Sequence, residues 1–333
     1  MDGTGSRPNL DTSGKLLVSG WRYRVVVYTV VAAALGYLGF SLWGGWREVL
    51  AAAGQVGFIG LAVALSLSLV NYGLRFLRWQ AYLGAMSHAV PWRPSLGIYL
   101  AGFALTTTPG KAGEMLRGVL LSRWGVPYPV SFAAFFSERL SDLLAIVLLA
   151  LVGLAAYPPA RPIVALGAAF MVIGLWTLSP HAALAGALAA RVTGPSKLSR
   201  FIHHLLEILQ QARQCHSLVL LGGATVLSVI AWASEAWAFH LILGWMNVEV
   251  SLTFAVFVYA VSMLAGALSF MPGGLGGAEA VMMGLLLWKG VGGGDAVAAT
   301  VLIRLATLWF AVAIGCLSLV RQPSVTARDA PTR

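Results

Sequence analysis

Charge is what this sequence has least of. Lys and Arg number 22 and Asp and Glu 12, together 10% of 333 residues, against 59% hydrophobic. So few charges leave too little polar surface to cover a soluble globule. Cysteine is scarcer still. Cys215 and Cys316 are far apart and form no CxxC or zinc pattern, which excludes a disulfide scaffold. His203, His204 and His216 lack metal-site spacing. There is no Walker loop, no HExxH, no nucleophile elbow and no paired-aspartate motif of sugar-nucleotide enzymes. Nucleotide-driven pumping by this chain is thereby argued against, and neither a cofactor nor an enzyme activity is expected. Alternating stretches of about 10 residues, the mark of a membrane β-barrel, are also missing.

What is present is a series of apolar runs near the 20 residues or so that a spanning helix needs. The fold class read from them is all-α: a polytopic transmembrane bundle of about eight spans plus two short broken or re-entrant helices. A polar N-terminal segment, 1–24, is expected on the cytoplasmic side, followed by one transmembrane domain, 25–320, and a short polar tail, 321–333. No cleavage pattern follows the first span, Val25 to Trp43, so it is expected to be retained as an anchor. The short tail gives no expectation of a soluble catalytic domain. The net charge of +10 is scattered over short loops, which suits topology and anionic lipid rather than nucleic acid.

The spans that follow are expected at Val56 to Leu74, Ser95 to Thr108, Val130 to Leu154, Ile163 to Leu178, Leu218 to Leu243, Leu252 to Phe270 and Ala296 to Val320. Between the first two of these, residues 75–93 carry Arg75, Arg78, Trp79, Tyr82 and Trp92 and read as an interfacial stretch with arginine anchors. A polar linker, 180–216, contains an amphipathic helix from Leu198 to Arg213, with Phe201, Leu205, Ile208 and Leu209 at spacings of three and four.

Two interruptions stand out. TTTPGKAGEMLR at 106–117 and PGGLGGAE at 272–279 each set proline and glycines between apolar runs, and each ends in a short helix too brief to cross easily. Glu279 lies 165 positions after Glu114, and Arg304 lies 165 positions after Arg139. Two related halves, about 56–155 and 218–320, are read from this. Counting each short segment as a crossing puts the basic linker and both termini on one side, as the positive-inside rule prefers, so the halves are expected to be inverted.

The breaks at Pro109, Gly110 and Gly113, and at Pro272, Gly273, Gly274, Gly276 and Gly277, are the candidate hinges. Glu114 and Glu279 follow them in the first helical turn, where a carboxylate can cap the helix or modulate an anion site. Glu138, Arg139 and Asp142 sit within about a turn of one span, as a structural ion pair or as a proton-holding group. Arg304 has no carboxylate in the middle of its own span and must find one among Glu114, Glu138, Glu235 and Glu279. Lys111 and Arg117 are candidate phosphate ligands, with snorkelling to the interface as the alternative for Lys111. Glu235 and His240 are read as having separate packing roles.

PGKAGEMLR at 109–117, SERLSD at 137–142 and MPGGLGGAE at 271–279, in that order, resemble the flippase-like integral membrane family. That family includes the N-terminal transmembrane region of bacterial lysylphosphatidylglycerol synthases and stand-alone relatives. The resemblance covers roughly 20–320. It implies a bundle in the bacterial cytoplasmic membrane that moves lipids or lipid-linked headgroups between leaflets. Glu114, Arg117, Glu138, Arg139, Asp142 and Glu279 match its charged positions. A membrane lipid with an anionic or phosphate-bearing headgroup is the expected partner, and a lipid-synthesising enzyme a second one. A polar cavity lined by Lys111, Arg117, Arg139 and Arg304 is expected to take the headgroup. An ion- or proton-coupled transporter of a small solute, and an accessory subunit or enzyme of lipid modification, are the other readings.

Overall fold

A computed structural model describes residues 45–108, 112–155, 157–177 and 197–321, with Gly36 and Gly39; at Ala112, Glu114 and 197–204 it describes the backbone alone. The first expected span therefore lies outside the described residues. Those described are helical, with no strand among them. In chain order the helices are α1 Trp46–Ala85, α2 Trp92–Ala101, α3 Ala112–Ser122, α4 Tyr128–Leu151, α5 Arg161–Thr177, α6 Lys197–Gln214, α7 Leu218–Trp245, α8 Leu252–Leu268, α9 Gly277–Trp288, α10 Gly293–Arg304 and α11 Phe310–Val320. A π-turn, Leu305–Trp309, joins the last two.

Four helical stretches are long and apolar enough to cross a membrane: Trp46–Ala85, Pro158–Trp176, Leu218–Trp245 and Gly293–Val320. Leu252–Leu268 is apolar and shorter. The 24-residue α4 is long enough, but carries Glu138, Arg139 and Asp142.

The first helix corrects the sequence reading. Its 40 residues would extend about 60 Å if straight, twice a bilayer core of about 30 Å. Gly57, at φ 64° and ψ 179°, breaks it near its start. Beyond that kink the helix continues through the stretch expected to lie at the interface. Arg78, Trp79, Tyr82 and Leu83 are buried there. The arginines looked interfacial because charge is costly in hydrocarbon, by about 2.5–3.5 kcal/mol each on insertion scales. Carboxylates of α4 remove that objection.

Helices α1 and α7 pack antiparallel. Asn71 Nδ2 donates to Ala231 O at 2.8 Å, Ser234 Oγ donates to Leu67 O at 3.1 Å, and Arg78 meets Ser228. Both helices end in the same kind of turn, with Ser87 at φ 59° and Asn247 at φ 58°.

The two broken segments are seen to different depths. Before α3, a 3-10 turn at Gly102–Leu105 follows α2, and Pro109, Gly110 and Lys111 lie outside the described residues. Gly113 packs where a Cβ would stand 2.4 Å from Gly102 O, so no larger residue fits between these turns. Before α9, Pro272–Gly274 forms a 3-10 turn, and Gly276 caps the helix at φ 83°. The expected amphipathic helix in the linker is present as α6, packed against α4.

Candidate functional site

Glu138 and Asp142 are one turn apart on α4 and face α1, where Arg75 and Arg78 occupy one side of that helix at i,i+3. Arg78 Nη1 donates to Asp142 Oδ1 at 2.8 Å and also to Ser228 Oγ. Arg75 Nη2 donates to Asp142 Oδ2 at 3.2 Å, and Arg139 Nη2 lies 3.1 Å from the same oxygen. Trp232 Nε1 of α7 donates to Asp142 Oδ1 at 3.1 Å. Glu138 takes Arg117 Nη1 at 3.0 Å and stands 3.8 Å from Arg78 Nη2. The side chains of Arg78 and Glu138 are fully buried, whereas that of Arg139 is 43% exposed.

Two buried arginines, Arg78 and Arg117, and the part-buried Arg75 thus converge on two carboxylates. Arg75 Nε, Arg78 Nε and Arg78 Nη2 have no hydrogen-bond acceptor, so the cation side of this centre is under-satisfied. Burying an ion pair costs desolvation, and an excess of one sign costs more.

Arg117 reaches Glu138 because its segment starts at the first break. Its guanidinium lies over the rings of Tyr99, Trp79 and Phe103, at 4.4, 5.2 and 5.7 Å from their centroids. Aromatic faces attract a cation and leave its edge free to donate. Gly102 makes the position possible, since a Cβ there would stand 2.3 Å from Arg117 Nε.

A second centre forms at the other break. Glu279 Oε2 accepts from Gly276 N at 2.6 Å, so the capping role holds, and Glu279 Oε1 accepts from Arg304 Nε at 2.6 Å. Arg304 Nη2 also donates to Gly273 O at 2.7 Å, tying α10 to the turn before α9. The π-turn starts at the next residue, and Tyr72 donates to Thr307 O within it. Such π-turns recur at functional sites.

Between the two centres, Glu235 accepts from Tyr259 Oη at 2.6 Å. It is buried and within electrostatic range of Arg75, Arg304 and Asp142.

Of the residues singled out from sequence, Arg117, Glu138, Arg139 and Asp142 come together, and Glu279 and Arg304 form a separate pair. Lys111 and the side chain of Glu114 lie outside the described residues. Of Lys111, Arg117, Arg139 and Arg304, expected to line one headgroup cavity, each described member is paired with a carboxylate. Arg304 is closed off by Glu279 and Gly273, and Arg117 and Arg139 bond carboxylates of α4. A cavity of about 480 Å³ lies instead at the end of α7, lined by His240, Asn247, Glu249 and Ser251 among others, and holds none of these groups.

Arg75 and Arg78, read as interface anchors, are central, and Glu235, read as packing, lies within electrostatic range of both centres. A signal for the arginines was available: they lie three apart with Trp79 and Tyr82 in a run that no proline interrupts, the pattern of a helix continuing inward. Among the described residues no group of three or more His, Cys, Asp or Glu is placed to hold a metal.

Comparison with known proteins agrees with the architecture. The chain matches the family described as the lysylphosphatidylglycerol synthase TM region over residues 24–315. Two proteins of Methanothermobacter thermautotrophicus, each described as a UPF0104 membrane protein, are similar to it. One is 22% identical over 312 residues, covering 87% of this chain and 91% of its own. The other is 24% identical over 283 residues, covering 77% and 83%. Glycosyltransferase AglD of Haloferax volcanii is 31% identical over 140 residues, 39% of this chain and 21% of that protein. These relatives are archaeal. They support an integral membrane protein and do not carry the bacterial placement.

Proposed function

Since this chain belongs to the lysylphosphatidylglycerol synthase TM region family, we propose that it is a lipid translocator, moving a phospholipid or lipid-linked anionic headgroup between the leaflets of the cytoplasmic membrane. The observation that carries this reading is the arginine excess at Glu138 and Asp142. A lock between helices needs one pair, whereas Arg75, Arg78 and Arg117 bring three cations, with Arg139 at the edge. The complement of such a group is an anion, and arginine forks fit phosphate oxygens bidentately. Lipid supplies a phosphate whose acyl chains stay in hydrocarbon.

The transport cycle in this reading rocks two inverted halves. Helices α1 and α7 hold equivalent places in the internal repeat. Their antiparallel packing, with Asn71 meeting Ala231, 160 positions away, supports a two-fold axis in the membrane plane. The carboxylates Glu114, Glu138, Asp142 and Glu279 exchange arginine partners as the halves move, and the chain acts without enzyme chemistry of its own.

Purified protein in phosphatidylcholine vesicles carrying a fluorescent phosphatidylglycerol tests this. Dithionite accessibility of the label reads sidedness. Wild type should equilibrate the label across leaflets, and Glu138→Gln or Arg117→Ala should lose most of that rate. Equal rates in empty vesicles, wild type and both variants would sink the reading.

The partial match to glycosyltransferase AglD favours a second reading, in which the bundle presents a lipid substrate to a lipid-modifying enzyme. Co-purification of such an enzyme with the tagged protein, with no transfer by the protein alone, is the outcome that would favour it.

A further inference from the structure

The described cations whose side chains are at most 12% exposed are Arg75, Arg78, Arg117 and Arg304, of which Arg75 is part-buried, and the described buried carboxylates are Glu138, Asp142, Glu235 and Glu279. Four stand against four, so this set is neutral only while Glu235 is ionised. The four carboxylates are not held alike. Glu138, Asp142 and Glu279 each take a guanidinium at 3.0, 2.8 and 2.6 Å. Glu235 makes no ion pair among the described residues and is held by a neutral phenol, Tyr259.

Glu235 is buried on α7 within electrostatic range of both centres. Tyr259 of α8 donates to it, and Tyr72 and Arg75 of α1, Asp142 of α4 and Arg304 of α10 are the charged or titratable groups within its electrostatic range. An anion arriving at Arg75 and Arg78 enters the same positive field that Glu235 occupies. The buried set would then carry one negative charge too many, in a medium where uncompensated charge is costly. Protonation of one carboxylate restores the balance. The three that hold guanidinium groups would each lose an ion pair by it, and Glu235 would not.

We propose that Glu235 is the proton-coupling residue of the lipid site: its carboxylate takes one proton from water when an anionic headgroup binds the arginine cluster, and returns it when the headgroup leaves. This rests on the translocator reading and adds the coupling ion to it. The step is a protonation alone, with no bond other than O–H formed or broken.

The test uses purified full-length protein in detergent, weakly buffered and containing a pH-indicator dye. The probe is dioctanoyl phosphatidylglycerol, whose phosphodiester does not titrate between about pH 5.5 and 8.5. Wild type should take up about one proton per lipid bound. Its Kd should rise tenfold per pH unit above the titration point of Glu235, the slope that linkage to one proton requires. Glu235→Gln should bind at high pH as tightly as wild type does at low pH, with no proton uptake and a flat Kd. Tyr259→Phe keeps the carboxyl and removes the hydrogen bond that favours its charged form. The pH dependence should persist there, with its midpoint displaced from that of wild type. This variant serves as the reading if Glu235→Gln does not fold.

Binding by wild type without proton uptake, or uptake unchanged in Glu235→Gln, would overturn this inference and leave the translocator standing. Absence of binding would overturn both. Uptake elicited by sodium sulfate, an anion without acyl chains, would overturn the lipid assignment.

Discussion

Asn71 Nδ2 donates to the carbonyl of Ala231 at 2.8 Å, from the middle of one long helix to the middle of another. The helices run in opposite directions, so the turns that end them, at Ser87 and Asn247, lie at opposite ends of the helix pair.

Topology labelling checks that arrangement. Ala89 and Glu249 are exposed residues in corresponding positions of the two turns. In a background with Cys215 and Cys316 replaced by serine, Ala89→Cys and Glu249→Cys should react with a membrane-impermeant maleimide from opposite sides of sealed vesicles. Labelling of both from one side would contradict the antiparallel packing and with it the inverted halves.

Asp142 holds more of the structure than any other carboxylate described, since Arg75, Arg78, Arg139 and Trp232 all converge on it. Asp142→Asn keeps the shape and strands the buried guanidinium of Arg78 and the part-buried one of Arg75. Breaking a buried ion pair from one side costs about 3–5 kcal/mol. Thermal unfolding in detergent should therefore show a large loss. Arg139→Ala removes a partner whose side chain is 43% exposed, where a pair contributes about 0–1 kcal/mol. Its unfolding temperature should barely move. A loss at Arg139 as large as that at Asp142 would mean the cluster is organised around the wrong residue.

Much of the fold was readable because membrane helices announce themselves by length and apolar composition. The boundaries of α5, α7 and α9 fall within a few residues of the runs in the sequence. The pairing of Arg304 with Glu279 was among the options that its lack of a partner in its own span left open. Residues 75–93 were misread for a definite physical reason. Arginines beside tryptophan and tyrosine have the composition of an interface; their uninterrupted spacing points to a helix continuing inward, and the position of Glu138 and Asp142, at least 60 residues away, shows that the charge is matched inside. The role of Glu235 was hidden in the same way. Its partner Tyr259 is 24 residues on, in another helix, and nothing local marks it.

Glu279 joins two functions that substitution can separate. Its one oxygen accepts from Gly276 N and its other pairs with Arg304. Glu279→Gln keeps an acceptor for the helix end and gives up the charge, whereas Glu279→Ala gives up both. Both variants should lose about 3–5 kcal/mol by leaving Arg304 buried without its partner, and the alanine variant should unfold more easily than the glutamine variant by about 1 kcal/mol, the usual contribution of a cap. Both should lose lipid transfer, since both release Arg304. Transfer at the wild-type rate in the glutamine variant would remove Glu279 and Arg304 from the transport machinery.

The smallest change with a decisive reading is at Gly102. A Cβ at this position would stand 2.3 Å from Arg117 Nε and 2.9 Å from its Cγ, so Gly102→Ala must push the arginine off the faces of Tyr99 and Phe103. Forcing a methyl group into such a contact costs about 1–3 kcal/mol, within what a folded bundle tolerates. Two consequences should follow together. Unfolding should come a few degrees earlier, and leaflet transfer should fall to the level of Arg117→Ala. Arg117→Lys supplies the comparison. It retains charge and reach without the planar fork that binds phosphate and stacks on rings. If the fork is what the site uses, Arg117→Lys should transfer lipid little better than Arg117→Ala, while pairing with Glu138 keeps its stability closer to wild type. Full transfer in Arg117→Lys would show that a point charge suffices, and the aromatic faces would then hold Arg117 for stability alone.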